Sequence, residues 1–185
     1  MSQDTTLLIT TEISSLPKYY LPSIAAWFGS LAIGTIVGYT SPGIPSIEDI
    51  HSHLQISKSS ENWLGSLMPL GASLGALIAA VIVDKLGRKF TLMLASIPCV
   101  FGWLIMAYAI NVYVLLIGRF ATGLSVGFIS MSAPLYIAET SSPKTRGFFG
   151  SGFQLWVTIG VFLVYLKGIY LPWSWLAVSN TIYPI

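Results

Sequence analysis

Apolar residues run through this chain in long blocks that no charge interrupts, and the charges collect at the block ends. Charge-free stretches lie between Lys18 and Glu48, Glu61 and Asp84, Arg119 and Glu139, and Arg146 and Lys167. Each is near or above the roughly 20 residues that a membrane helix needs. The stretch from Phe90 to Ala138 carries only Arg119 and is far too long for one crossing. It must turn, and Asn111, between Ile110 and Val112, is the expected place. The pattern predicts helices over 21–40, 63–83, 90–110, 112–137 and 148–166, with an incomplete sixth over 171–185. The expected class is all-α, a polytopic helical membrane protein with its transmembrane part over 19–185 and a polar cytoplasmic tail over 1–18. Residues 41–61, with Pro42, Pro45, His51 and His53, read as an extracellular loop with room for a short interfacial helix.

Composition agrees with this division. The chain is 54% hydrophobic and 9% charged, against about 25% charged for a soluble domain, so it has too few ions to wet a globular surface. The net charge is only +2 and the basic residues are scattered, which argues against a nucleic-acid partner. Cys99 is the single cysteine, so neither an internal disulfide nor a cysteine zinc site is expected, and it reads as packing. No metal cluster, phosphate loop or catalytic nucleophile stands out, so the chain is not expected to be an enzyme or to carry a cofactor. Asp4 and Glu12, and an apolar run too short for a leader, argue against a signal peptide. If the helices alternate, Lys18, Lys85, Arg88, Lys89, Lys144 and Arg146 share one side, with Lys58 and Lys167 on the other. The positive-inside rule then places the N-terminus in the cytoplasm. Because the sixth apolar run is still open at Ile185, a longer protein is expected.

Glycines four residues apart, Gly34 and Gly38, Gly71 and Gly75, and Gly123 and Gly127, let helix backbones approach closely in lipid. They fit plain packing, and they also fit helices that slide during a conformational cycle. Between the second and third helices, Gly87 permits a tight turn. There Arg88 and Lys89 can pair with Asp84 or with the negative ends of neighbouring helices, forming a cytoplasmic gate or simply a topology anchor. Arg119 lies about seven residues into the fourth helix, where an ion is expensive and usually faces the bundle interior. It either snorkels to the outer interface or contacts polar groups such as Tyr39 and Thr40, since the first helix offers no acid. Gln154 shares one face of the fifth helix with Val157, Thr158 and Val161. An amide beside an apolar floor suits a sugar, whose hydroxyls it can bridge, and it suits an interhelical hydrogen bond equally well.

Taken together, Asp84-x-x-Gly87-Arg88, Gly118-Arg119-Phe120, Pro134-x-Tyr136-x-x-Glu139 and Arg146-Gly147 resemble the sugar-porter branch of the major facilitator superfamily. Trp173-Ser174-Trp175-Leu176-Ala177 resembles that family's opening of the sixth helix. Runs such as Phe153-Gln154-Leu155 resemble those of arthropod facilitated trehalose and glucose transporters. The resemblance implies the N-terminal six-helix half of a twelve-helix plasma-membrane transporter, cut within helix six. Its partners would be a small-molecule sugar, the lipid bilayer and a C-terminal six-helix half. It implies that Gln154 binds sugar hydroxyls, that Glu139 and Arg146 belong to a cytoplasmic ion network, and that Arg119 is the arginine that sits beside a first-helix aspartate in proton-coupled members. Here Thr40 stands at that aspartate's place, which favours uniport of a hexose or trehalose over proton symport. Ala80 and Ser174 also depart from the family pattern, replacing a glycine and an arginine. A non-transporting truncated regulator or a sugar sensor is the other function class.

Overall fold

A computed structural model describes residues 23–48, 54, 56–143 and 145–183. The expectations for the tail over 1–18, for Lys18, His51, His53 and Lys144, and for the chain end at Ile185 fall outside the described residues. The described chain is helical. Helix α1 covers Ser23–Glu48, α2 Lys58–Leu86, α3 Arg88–Ala107, α4 Val112–Thr140, α5 Arg146–Gly168 and α6 Trp173–Asn180. The first five are long and apolar enough to cross a membrane.

Local chemistry sets the ends. Asn111 caps α4, its side-chain oxygen accepting from the Val114 amide at 3.0 Å, so the turn falls where the sequence places it. Gly87 alone joins α2 to α3 and holds a φ of 85°, a left-handed conformation that a residue with a Cβ resists. Ser57 caps α2, accepting from the Ser60 amide at 3.3 Å. The first turn of α2 then takes in the Lys58–Glu61 ion pair at 2.9 Å, so this helix begins five residues before the predicted 63.

The largest departure from the predicted bounds is at α1. It does not stop at residue 40 but is interrupted at Tyr39 and continues as Thr40–Glu48, shortening the expected loop over 41–61. Pro42 and Pro45 suggested that loop. Pro42 lies in the first turn after the interruption, where an amide hydrogen has no helical acceptor and its absence costs little. Helix α6 is shorter than the predicted 171–185 and begins beside the end of α1. There the Trp173 amide donates to Ser46 Oγ at 3.0 Å and the Tyr39 hydroxyl donates to the Trp173 carbonyl at 3.2 Å.

Helix α4 is the centre of the bundle, with α2 on one side and α3 on the other. Glycine permits both contacts: a Cβ on Gly127 would meet the Ala72 carbonyl and lie 2.5 Å from the Ala76 amide of α2, and one on Gly118 would lie 2.8 Å from the Gly102 carbonyl of α3. Backbones this close gain dispersion contacts that lipid cannot supply. A third seam joins α1 to α5, where a Cβ on Gly34 would meet the Val157 carbonyl. Helices α2 and α5 leave the most apolar surface open, with Leu77 at 70% and Phe162 at 64% exposure. Such faces suit lipid or another protein segment.

Candidate functional site

Three polar stations sit on this frame. The first is Arg119, 1% exposed, whose guanidinium is enclosed by α1, α2 and α4. Its Nε donates to the Leu64 carbonyl at 3.3 Å, Nη1 to the Ile36 carbonyl at 2.8 Å and Nη2 to Thr40 Oγ1. The cation also lies over the Tyr39 ring, 5.7 Å from its centroid. Tyr39 in turn meets Trp103 edge to face at 5.2 Å. The side chain does not snorkel. Among the described residues every partner it has is electrically neutral, so its charge is met there by carbonyl and hydroxyl dipoles and by a ring face. Three acceptors from two helices make it a strap between α4 and both α1 and α2.

The second station lies at the opposite end of the bundle. Arg88, the first residue of α3, pairs with Glu139 near the end of α4 through Nη2 and Oε1 at 2.8 Å, both side chains being partly exposed. Arg88 thus meets a carboxylate of α4 and not Asp84. Among the described residues Asp84, Lys89 and Arg146 make no ion pair and face solvent. Thus Arg88 and Glu139 meet, while among the described residues Asp84, Lys89 and Arg146 do not join the pair.

The third station divides the expected face of α5. Val157 and Val161 lie against α1, since Gly34 and Gly38 bring that helix to their backbones; a Cβ on Gly38 would be 3.3 Å from Val161 Cα. Gln154 and Thr158 stay on the open edge, exposed. Thr158 Oγ1 donates to the Gln154 carbonyl at 3.1 Å, as hydroxyls in membrane helices do. The Gln154 amide itself makes no hydrogen bond among the described residues. It does not tie α5 to another helix there, and both its donor and its acceptor remain available. No group of three or more metal-ligating side chains occurs among the described residues.

Residues 22–171 match the family model described as sugar (and other) transporter. The chain belongs to that family. It is 39% identical over 168 residues to solute carrier family 2, facilitated glucose transporter member 8, of Mus musculus, an alignment covering 90% of this chain and 35% of that protein. It is 36% identical over 176 residues to the facilitated trehalose transporter Tret1 of Bombyx mori, covering 95% of this chain and 34% of that one. The chain thus spans about a third of the length of these relatives. Among solved structures it superposes on the major facilitator superfamily proton:xylose symporter XylE bound to 6-bromo-6-deoxy-D-glucose. The TM-score is 0.82 at 20% identity, over 92% of this chain and 43% of that one. That likeness establishes the fold, a major facilitator helical bundle. These relatives are sugar transporters and not enzymes, and the family together with the five candidate spans makes the chain a multi-pass membrane protein.

Sequence reasoning did not find two polar features of this bundle. Lys167, in the last turn of α5, donates to Ser179 Oγ at 3.2 Å and to Asn180 Oδ1 at 3.3 Å, and lies over the Tyr183 ring at 4.4 Å. Trp27 donates its indole hydrogen to the Phe149 carbonyl at 3.0 Å. Trp27 has no local signature, since its partner is more than a hundred residues away in the chain.

Proposed function

We propose that this chain forms the N-terminal six-helix half of a facilitative sugar transporter that moves a hexose or trehalose by alternating access across the plasma membrane. The N-terminus and the Gly87 turn face the cytoplasm. A C-terminal six-helix half would complete the binding site, as in the two-half architecture of this fold. The observation that carries the uniport reading is the set of partners around Arg119: two carbonyls, a threonine hydroxyl and an aromatic face, with no carboxylate among the described residues. Proton coupling requires a group whose protonation changes between the two access states. An arginine stays charged at any physiological pH, and Thr40 has no proton to exchange there.

Gln154 is the group we assign to the sugar, with Thr158 beside it and Val157 and Val161 as apolar backing. Its amide is exposed and unengaged, so it can donate to one hydroxyl and accept from the next. Arg88 and Glu139 act as a cytoplasmic latch that parts as the inner path opens, with Asp84, Gly87, Lys89 and Arg146 around it.

The test is flux in liposomes holding the transporter with both halves. Sugar should equilibrate to equal concentrations inside and outside, with or without an imposed proton gradient. Accumulation above the external level that a protonophore abolishes would refute uniport.

A further inference from the structure

The seam between α1 and α5 carries a groove that sugar transport leaves unused. Gly152 of α5 lets Trp27 of α1 lie against the helix backbone; a Cβ there would come within 2.5 Å of the indole ring at Cε2. The bond from the indole to the Phe149 carbonyl fixes that ring. Trp156 stacks on it with centroids 6.2 Å apart and 22° between planes, and Phe148 meets it edge to face at 6.1 Å. With Ser151 and Leu155 these side chains line a groove of about 370 Å³. Ser151 turns its hydroxyl to the Phe148 carbonyl at 3.0 Å, so the groove offers flat apolar faces and little else. Phe148 and Leu155, 67% and 60% exposed, form its open lip.

The charge at this end of the bundle identifies the occupant. Helix α5 opens with Arg146, two residues before Phe148, and Lys85 and Lys89 flank the Gly87 turn at the same end, where Arg88 reaches Glu139. Among the described residues Arg146, Lys85 and Lys89 make no ion pair, and Glu139 is already engaged, which leaves Asp84 as the one unpaired carboxylate against three cations. An apolar groove on a membrane-spanning helix that runs up to a surplus of positive charge complements a lipid whose chain is apolar and whose headgroup is negative. We propose that the groove formed by Trp27, Phe148, Gly152 and Trp156 holds an acyl chain of an anionic phospholipid from the adjacent leaflet, with its headgroup at Arg146. Gln154 is not among the side chains that line this groove, so the lipid does not occupy the amide assigned to the sugar.

The experiment uses the transporter with both halves in liposomes doped with phosphatidylserine or phosphatidylcholine carrying a photoactivatable acyl chain, with adducts mapped by peptide mass spectrometry. Adducts should concentrate at residue 27 and over 148–156. One basic side chain is worth about 1 kcal/mol toward an anionic headgroup, so phosphatidylserine should label roughly fivefold more than phosphatidylcholine. Arg146→Gln should remove that excess and leave phosphatidylcholine labelling unchanged. Phe148→Ala, which truncates an exposed ring, should lower labelling by both lipids, while Phe162→Ala further along α5 changes neither. Labelling spread evenly over the open faces of α2 and α5, equal labelling by the two lipids, or no adduct over 148–156 would each overturn the proposal.

Discussion

At the scale of single residues, the chemistry turns on side chains whose hydrogen bonds are either fully engaged or fully available. Gln154 is available. In the two-half transporter, Gln154→Ala should weaken apparent sugar affinity three- to tenfold with surface expression unchanged, because a hydrogen bond to a neutral hydroxyl is worth about 0.5–1.5 kcal/mol. Uptake kinetics and surface biotinylation read the two quantities separately, and unchanged affinity with lost surface protein would remove Gln154 from the sugar site. Arg119 is engaged, with three acceptors on two other helices. A lysine keeps the charge but carries all its donors on one nitrogen and cannot span the Leu64, Ile36 and Thr40 oxygens together. Arg119→Lys should therefore leave a buried acceptor of the charge unmet and cost on the order of 1.5–3 kcal/mol, read as a lowered thermal midpoint in detergent. A midpoint matching that of the unaltered chain would show that the strap does not hold the bundle together.

At the scale of elements, close helix approach is the main design. A Cβ at position 127 would collide with the Ala72 carbonyl and with the Ala76 amide at 2.5 Å, both backbone atoms that no rotamer change can move. Gly127→Ala should thus push α2 and α4 apart and cost about 1–3 kcal/mol, whereas Gly147→Ala, with nothing within 4 Å of the added carbon, should be neutral. Thermal melts of the two variants side by side give the comparison, and equal losses would contradict the packing argument. The glycine pairs of this seam are legible in the sequence because spacing by four marks one helix face. The Asn111 turn is legible because no single helix could absorb so long an apolar run. The continuation of α1 to Glu48 is not, since Pro42 and Pro45 mark a loop by sequence and yet Pro42 falls in the first turn of, and Pro45 inside, the segment Thr40–Glu48. The Arg88–Glu139 pair is only half legible: both ions stand at helix ends in the sequence, but their meeting depends on the packing of α3 along α4. The division of the α5 face also depends on packing, since α1 covers Val157 and Val161 while leaving Gln154 open.

At the scale of the whole molecule, orientation in the bilayer follows from where the cations fall once the helices are placed. Lys85, Arg88, Lys89 and Arg146 all lie at the end of the bundle that holds the Gly87 turn and the start of α5, and Lys58 and Lys167 lie at the other. Among the described residues that is four cations against two, an asymmetry of the sign that retains a loop in the cytoplasm during insertion. Lys58 is moreover paired with Glu61, and Lys167 is turned inward onto Ser179 and Asn180, so neither presents an unengaged charge on the outer side. The Gly87 turn should therefore be cytoplasmic and Ser57, the cap of α2, extracellular. Cys99 is fully buried, so thiols introduced at the surface can be read against a silent native one. With a membrane-impermeant maleimide on intact cells, Ser57→Cys should label and Lys89→Cys should label only after permeabilisation. The reverse pattern would invert the molecule, moving the Arg88–Glu139 latch to the outside and Arg119 to the cytoplasmic half. It would then be the outer mouth of the pathway that the latch closes.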